Sequence, residues 1–346
     1  MKIFYSSGIY PAHSLIFEVD PRWEEVTDQI SADVVVVLDQ YASVTIEPKQ
    51  ILLVLTVFHI DHGYDQQYYE RIRNKFISLV NLPNVLVLMM NKRVPESGGL
   101  IYLDYLFERQ KMYCIDYEKL PHPNDRTCTN SAAKDMYLLH TMALTPIKKF
   151  LAPMRVSIEP SGVIADRMAW RMRLRSILLE EDDVYVSHDY NPLLPNGSNE
   201  TTSWLIQSYS LSSAWFPVSY EYYDQTLVSV YVETLVSSDI SCVTEKTFDP
   251  LIMGNFILPY GYKGLIKDII GYGFRLPRWI DYSYDEIQDD LERFNAFINS
   301  FKQLRKMNIT EMLSLAQTDS SLREDNRRVF YNRPYKDLYS KIKNYT

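Results

Sequence analysis

Between residues 32 and 89 the chain carries three runs, Ala32–Leu38, Gln50–Val57 and Asn84–Met89, whose centres VVVVL, ILLVL and VLVLM are apolar without alternation. A strand with one wet face alternates apolar with polar residues, whereas an unbroken run of branched apolar residues is covered on both faces. Such strands belong to a parallel sheet with helices above and below, as strand–helix alternation with short connections also predicts. A doubly wound α/β sheet follows, with ligand-handling groups expected on the loops after the strand C-termini. Lys2–Tyr5 and Ile16–Val19 read as further short strands. Trp23–Ile30, Gln67–Leu79 and Leu100–Tyr113 read as helices, the last with Tyr102, Leu106 and Arg109 at helical spacing.

The pattern restarts in the second half. Pro121–Lys134 reads as a surface loop and Asp135–Phe150 as a linking helix, so the boundary falls near Lys148–Pro153. This divides the chain into 1–150 and 151–346. Val163–Leu179 reads as a helix, Asp183–Ser187 as a strand and Asn191–Thr202 as a loop. Ser229–Glu233 and Asn255–Pro259 read as strands with a helix from Glu245 between them. Lys263–Tyr272 reads as a helix closed by Gly273, and Asp285–Gln303 as a long helix. The basic, tyrosine-rich tail after Asn326 is expected to pack across the two halves rather than to hold nucleic acid.

Composition excludes several classes. A net charge of −8 gives no global pull toward nucleic acid. Three scattered cysteines without a C-x-x-C pair point to reduced thiols in a cytoplasmic compartment, not to a disulfide or zinc frame. The N-terminus lacks a signal-peptide pattern, and no apolar stretch of about 18 residues reads as a membrane span. Walker A, G-x-S-x-G and H-E-x-x-H motifs are absent, as is any D-x-D triplet.

The densest functional signal is Ser229–Gly261, SVYVETLVSSDISCVTEKTFDPLIMGNFILPYG. A buried strand ends on Glu233, and Thr244-Glu245-Lys246 opens a helix. A carboxylate can accept from a ribose diol, while a lysine and unengaged helix N–H groups can take a diphosphate. Glutamate is ordinary in a first turn. Lysine there opposes the helix dipole and needs a reason. The residue chemistry suits a nucleotide-sugar.

That segment, with the following GLIKDIIGYGFRLPRWIDYSYDEIQDDLERF, resembles fucosyltransferase-like GT-B glycosyltransferases found in phages, algal viruses and bacteria. IYLDYLFERQKMYCIDY and KKFLAPMR are similar to segments of the same proteins. The resemblance implies two Rossmann-like domains facing each other across a cleft, the first on the acceptor side and the second binding the donor. It implies that Glu245 accepts from the ribose hydroxyls, that Lys246 and Arg155 contact the diphosphate, that Glu233 lines the sugar or ribose side, and that Thr244 is an N-cap or touches the nucleoside. It further implies inversion, with a UDP-sugar preferred to a GDP-sugar and as acceptor either a glycan or a hydroxymethylated base in DNA. The missing D-x-D triplet, which holds a divalent ion in the other glycosyltransferase class, favours GT-B and predicts that no metal or other cofactor is required.

A general base must take the acceptor proton. Asp61 and His62, after the Gln50–Val57 strand, are the first candidates and His13 competes with them. Asp104 is read equally as a structural carboxylate. Arg167, Arg171 and Arg175 recur at a spacing of four and are expected to form a solvated basic face. The alternative functions are a non-catalytic nucleotide-sugar-binding module and a virion assembly protein.

Overall fold

The computed structural model describes residues 1–6, 20–38, 44, 46–55, 74, 84–89, 100–102, 148–152, 163–186, 223, 225–233, 235–237, 243–332 and 337–344. They build two parallel sheets. The first contains β1 (Lys2–Tyr5), β2 (Glu24–Glu25), β3 (Val34–Leu38), β4 (Ile51–Leu55), β5 (Val85–Met89) and β6 (Leu100–Tyr102), in the order β2-β1-β3-β4-β5-β6. The apolar runs form its centre. All five residues of β4 are buried, because strands on both sides and cover on both faces leave none wet.

The second sheet contains β7 (Phe150–Ala152), β8 (Val184–Val186), β9 (Val228–Val232) and β10 (Phe256–Tyr260), in the order β10-β9-β7-β8, again all parallel. Its helices are α1 (Val163–Leu178), α2 (Glu245–Met253), α3 (Leu265–Gly271), α4 (Asp290–Lys306), α5 (Ile309–Thr318), α6 (Ser320–Asn332) and α7 (Leu338–Lys343). Alternate strand residues face opposite layers. Val228, Val230 and Val232 join Trp170 and Leu174 of α1 and Phe294, Phe297 and Phe301 of α4. Tyr231 and Ile257 join Phe248 and Ile252 of α2, Ile269 of α3 and Phe330 of α6. The α/β class with two parallel sheets is the architecture of the described residues. Phe150, placed last in the first half by the sequence reading, opens the first strand of the second sheet.

Three expected elements differ. Trp23–Ile30 is not a helix. An Asp20 turn, in which the carboxylate accepts from the Arg22 N–H, delivers Glu24–Glu25 to the open side of β1 as a charged edge strand. Asp28 then caps a 3-10 turn at Gln29–Ser31. Leu100–Tyr102 is a strand paired with β5 rather than the start of a helix. The helix expected from Asp285 begins at Asp290, because Asp289 is its N-cap and accepts from the Glu292 N–H; Ser283–Glu286 is a separate 3-10 turn. Ile16–Val19, Pro121–Lys134, Asn191–Thr202 and all of Asp135–Phe150 before Lys148 lie outside the described residues. Of Gln67–Leu79 only Asn74 is described, and it is helical.

β10 forms the outer edge of the described second sheet. Its outward carbonyls do not meet a fifth strand there. Tyr282 donates its hydroxyl to Ile257 O over 2.8 Å and Tyr284 donates to Pro259 O over 2.6 Å. Pro259, which has no N–H to leave unmet, suits that edge. The C-terminal helices tie the molecule back. Arg323 of α6 donates to the carbonyl of Gly254, the left-handed C-cap of α2. Near α7, Asp337 pairs with Arg22 over 2.6 Å and the Tyr339 ring meets Trp23 edge-on at 5.2 Å.

Candidate functional site at the end of β9

β7 lies between β8 and β9. The chain leaves β7 for β8 on one side and reaches β9 on the other, so the strand order reverses between β7 and β9. In doubly wound sheets ligands bind outside the strand C-termini at such a switch. The two loops that leave this point begin after Ala152 and after Val232. The first carries Arg155, outside the described residues. The second begins with Glu233.

Glu233 has no solvent exposure. Its backbone N–H donates to Tyr260 O over 2.7 Å, and the Tyr262 N–H donates to Leu235 O over 3.0 Å, so the exits of β9 and β10 run together. Its carboxylate turns into the chain. Oε1 accepts from the Thr244 N–H over 2.8 Å and from the Thr247 hydroxyl over 2.9 Å, while Oε2 accepts from the Thr244 hydroxyl over 2.5 Å. Tyr231, two residues back along β9, donates to Thr247 Oγ1 over 2.7 Å and continues the chain of hydrogen bonds. Burial pushes the Tyr231 phenol well above its usual value, and the Glu233 charge adds to this, so the hydroxyl stays a donor. Glycine at 261 permits the close approach of the two exits. A Cβ there would stand 2.8 Å from Leu265 Cδ2 and 3.1 Å from Glu233 Cβ.

Thr244 is the N-cap of α2, and its side chain accepts from the Lys246 N–H over 3.4 Å. The Thr247 and Phe248 amides donate to Thr244 O over 3.0 and 3.2 Å. Four amides of the cap and first turn thus have partners: the Thr244 N–H in Glu233, and the Lys246, Thr247 and Phe248 N–H groups in Thr244 itself. Lys246 stands half-buried in this first turn, while the Glu245 side chain lies outside what is described.

Buried charges support the exits. Arg293 of α4 is 1% exposed and donates to the carbonyls of Gly261, Ile287 and Val236, reaching both loops at once, with Asp290 as its ion-pair partner. Asp285 accepts from the Ile266 N–H at the start of α3 over 3.1 Å. Burial raises its carboxyl to about 6, against the amides of Ile266 and Lys267 and the charge of Arg293. Arg171 corrects the solvated-face reading. It is 2% exposed, and its guanidinium donates to Val232 O over 3.4 Å, directly before Glu233. The sequence reading missed Arg293 and the role of Arg171. Each is flanked by core aromatics, Phe294 and Trp170, which is the signal that places a cation on an apolar helix face.

Glu233, Thr244 and Lys246 are thus brought together. His13, Asp61, His62, Arg155 and Asp104 lie outside the described residues. Among the described residues no group of three or more His, Cys, Asp or Glu is placed to hold a metal ion, and no helix is long and apolar enough to cross a membrane.

No family model matches the chain. No curated protein matches it either. Among solved structures, the crystal structure of an alpha1,3-fucosyltransferase is similar over 98% of this chain and 82% of that one, with a TM-score of 0.45 and 11% identity.

Proposed function

We propose that the chain is a glycosyltransferase of the GT-B type, which binds a nucleotide-sugar at the β9–α2 turn and passes the sugar to an acceptor hydroxyl held by the first half. One observation carries this reading. At the switch point of a parallel sheet, a buried carboxylate fixes the cap of a helix whose first turn presents a lysine. A cation there opposes the helix dipole, and an anionic ligand offsets that cost.

In this reading Lys246 and Arg155 hold the diphosphate and Glu245 accepts from the ribose hydroxyls. The acceptor oxygen attacks the anomeric carbon as the bond to the diphosphate breaks. The acceptor proton passes to a base, for which Asp61, His62 and His13 are the candidates. The nucleoside diphosphate leaves with its charge met by the two cations, so a metal is not required. A single displacement inverts the anomeric centre. UDP is favoured over GDP. A glycan acceptor is favoured over a hydroxymethylated base in DNA, given the net charge of −8.

Calorimetric titration with UDP, GDP and their sugars tests the donor half of the proposal. Incubation with UDP-sugars and either a glycan library or hydroxymethylcytosine DNA tests the acceptor half. Absence of binding by every nucleotide contradicts the reading.

A further inference from the structure

We infer that Glu233 is a positioning residue and not a donor contact: its carboxylate sets the start of α2 against the end of β9, and Lys246 takes its place from that. The inference rests on the nucleotide-sugar reading of the turn. Among the described residues, three donors are seen to converge on the carboxylate, the Thr244 N–H, the Thr244 hydroxyl and the Thr247 hydroxyl, and these belong to the cap and first turn of one helix. The carboxylate itself continues β9, whose backbone is locked to β10 through the Glu233 N–H and Tyr260 O. Strand end and helix start are therefore joined by side chain as well as by the loop between them.

Burying a carboxylate carries a desolvation cost that an ordinary threonine cap would avoid. What the carboxylate adds is placement. It accepts from the cap residue by backbone and side chain together, and it engages the first turn itself through Thr247, which is held in turn by Tyr231. A bound group tolerates displacement of about half an ångström before its contacts weaken, so a fixed helix start matters to the residue that follows it. Glu233 is fully buried and has no face turned to solvent. A ligand meets Lys246 instead.

The test uses the full chain and four variants: Glu233→Gln, Thr247→Val, Lys246→Ala, and Glu233→Gln combined with Lys246→Ala. Glutamine keeps an acceptor for the Thr244 N–H but presents an NH2 group to the Thr244 hydroxyl, which disturbs the cap. Glu233→Gln is expected to weaken binding of UDP or GDP about tenfold in the wild-type background and less than about twofold once Lys246 is gone. Backbone amide exchange over 244–248 is expected to speed up, while β9 and β10 stay protected. Thr247→Val should reproduce both effects more weakly, and it carries the test if Glu233→Gln does not fold. Equal loss of affinity with and without Lys246, or unchanged affinity together with unchanged exchange, overturns the positioning role. If the wild-type protein binds neither UDP nor GDP, the donor reading fails. Exchange then decides Glu233 alone: faster exchange over 244–248 in Glu233→Gln keeps it as the anchor of α2, and unchanged exchange removes it.

Discussion

The Thr244 hydroxyl donates to Glu233 Oε2 over 2.5 Å while the Thr244 amide donates to Oε1 of the same carboxylate over 2.8 Å. Cap and strand end are therefore one unit. Glu233→Ala leaves the amide and two hydroxyls without that acceptor inside a buried turn. The expected cost is about 3 kcal/mol, read as a lower midpoint in urea with an unchanged slope.

Gly261 passes close enough to Glu233 that a side chain there must push. Gly261→Ala is expected to destabilise by about 1–2 kcal/mol, since the Leu265 methyl can swing aside but Glu233 Cβ, 3.1 Å away, is held by its own backbone. Equilibrium unfolding measures this, and nucleotide affinity should fall alongside it.

Asp285 predicts a pH dependence. Its carboxyl is raised in the folded chain to about 6 from 3.8, so the folded state holds the proton more tightly. That contribution is fully present below about pH 4, is lost as pH rises toward 6, and stays lost above. An asparagine in its place would keep an acceptor for the Ile266 N–H without the buried charge. Asp285→Asn is therefore expected to be more stable than wild type at pH 7.5, by up to about 3 kcal/mol, with the difference gone near pH 4. Unfolding curves of both proteins across that range check the sign.

Tyr284 closes the β10 edge by donating to Pro259 O inside the core. Tyr284→Phe leaves that buried carbonyl without the hydroxyl, at a cost of about 1–2 kcal/mol by equilibrium unfolding.

The central strands were legible because burial on both faces leaves an unbroken apolar run, as in Val34–Leu38 and Ile51–Leu55. The start of α2 was legible from Thr244, since caps have local chemistry. Other elements depended on distant partners. Glu24–Glu25 is a strand because β1 offers an open side, which no local periodicity records. Leu100–Tyr102 carries three residues that suit a strand or a helix equally, and pairing with β5 decides between them. Asp285 looked like a first-turn acid, but the Asp289 cap lies four residues later. Arg171 followed the i, i+4 spacing of a solvated face, yet a tertiary contact with Val232 O draws it inward. At the site, the residue types of the turn were readable. The direction of the Glu233 carboxylate, toward its own helix, was not, because it depends on how the chain between Glu233 and Thr244, 11 positions apart, folds back.

The most direct measurement is a calorimetric titration of UDP and GDP into the wild-type chain and into Lys246→Ala. One nucleotide should bind the wild-type protein, and its affinity should fall about tenfold or more in the variant, the loss of one charge-assisted contact to a phosphate. Equal affinity in both proteins, or no binding of either nucleotide to the wild type, contradicts the account.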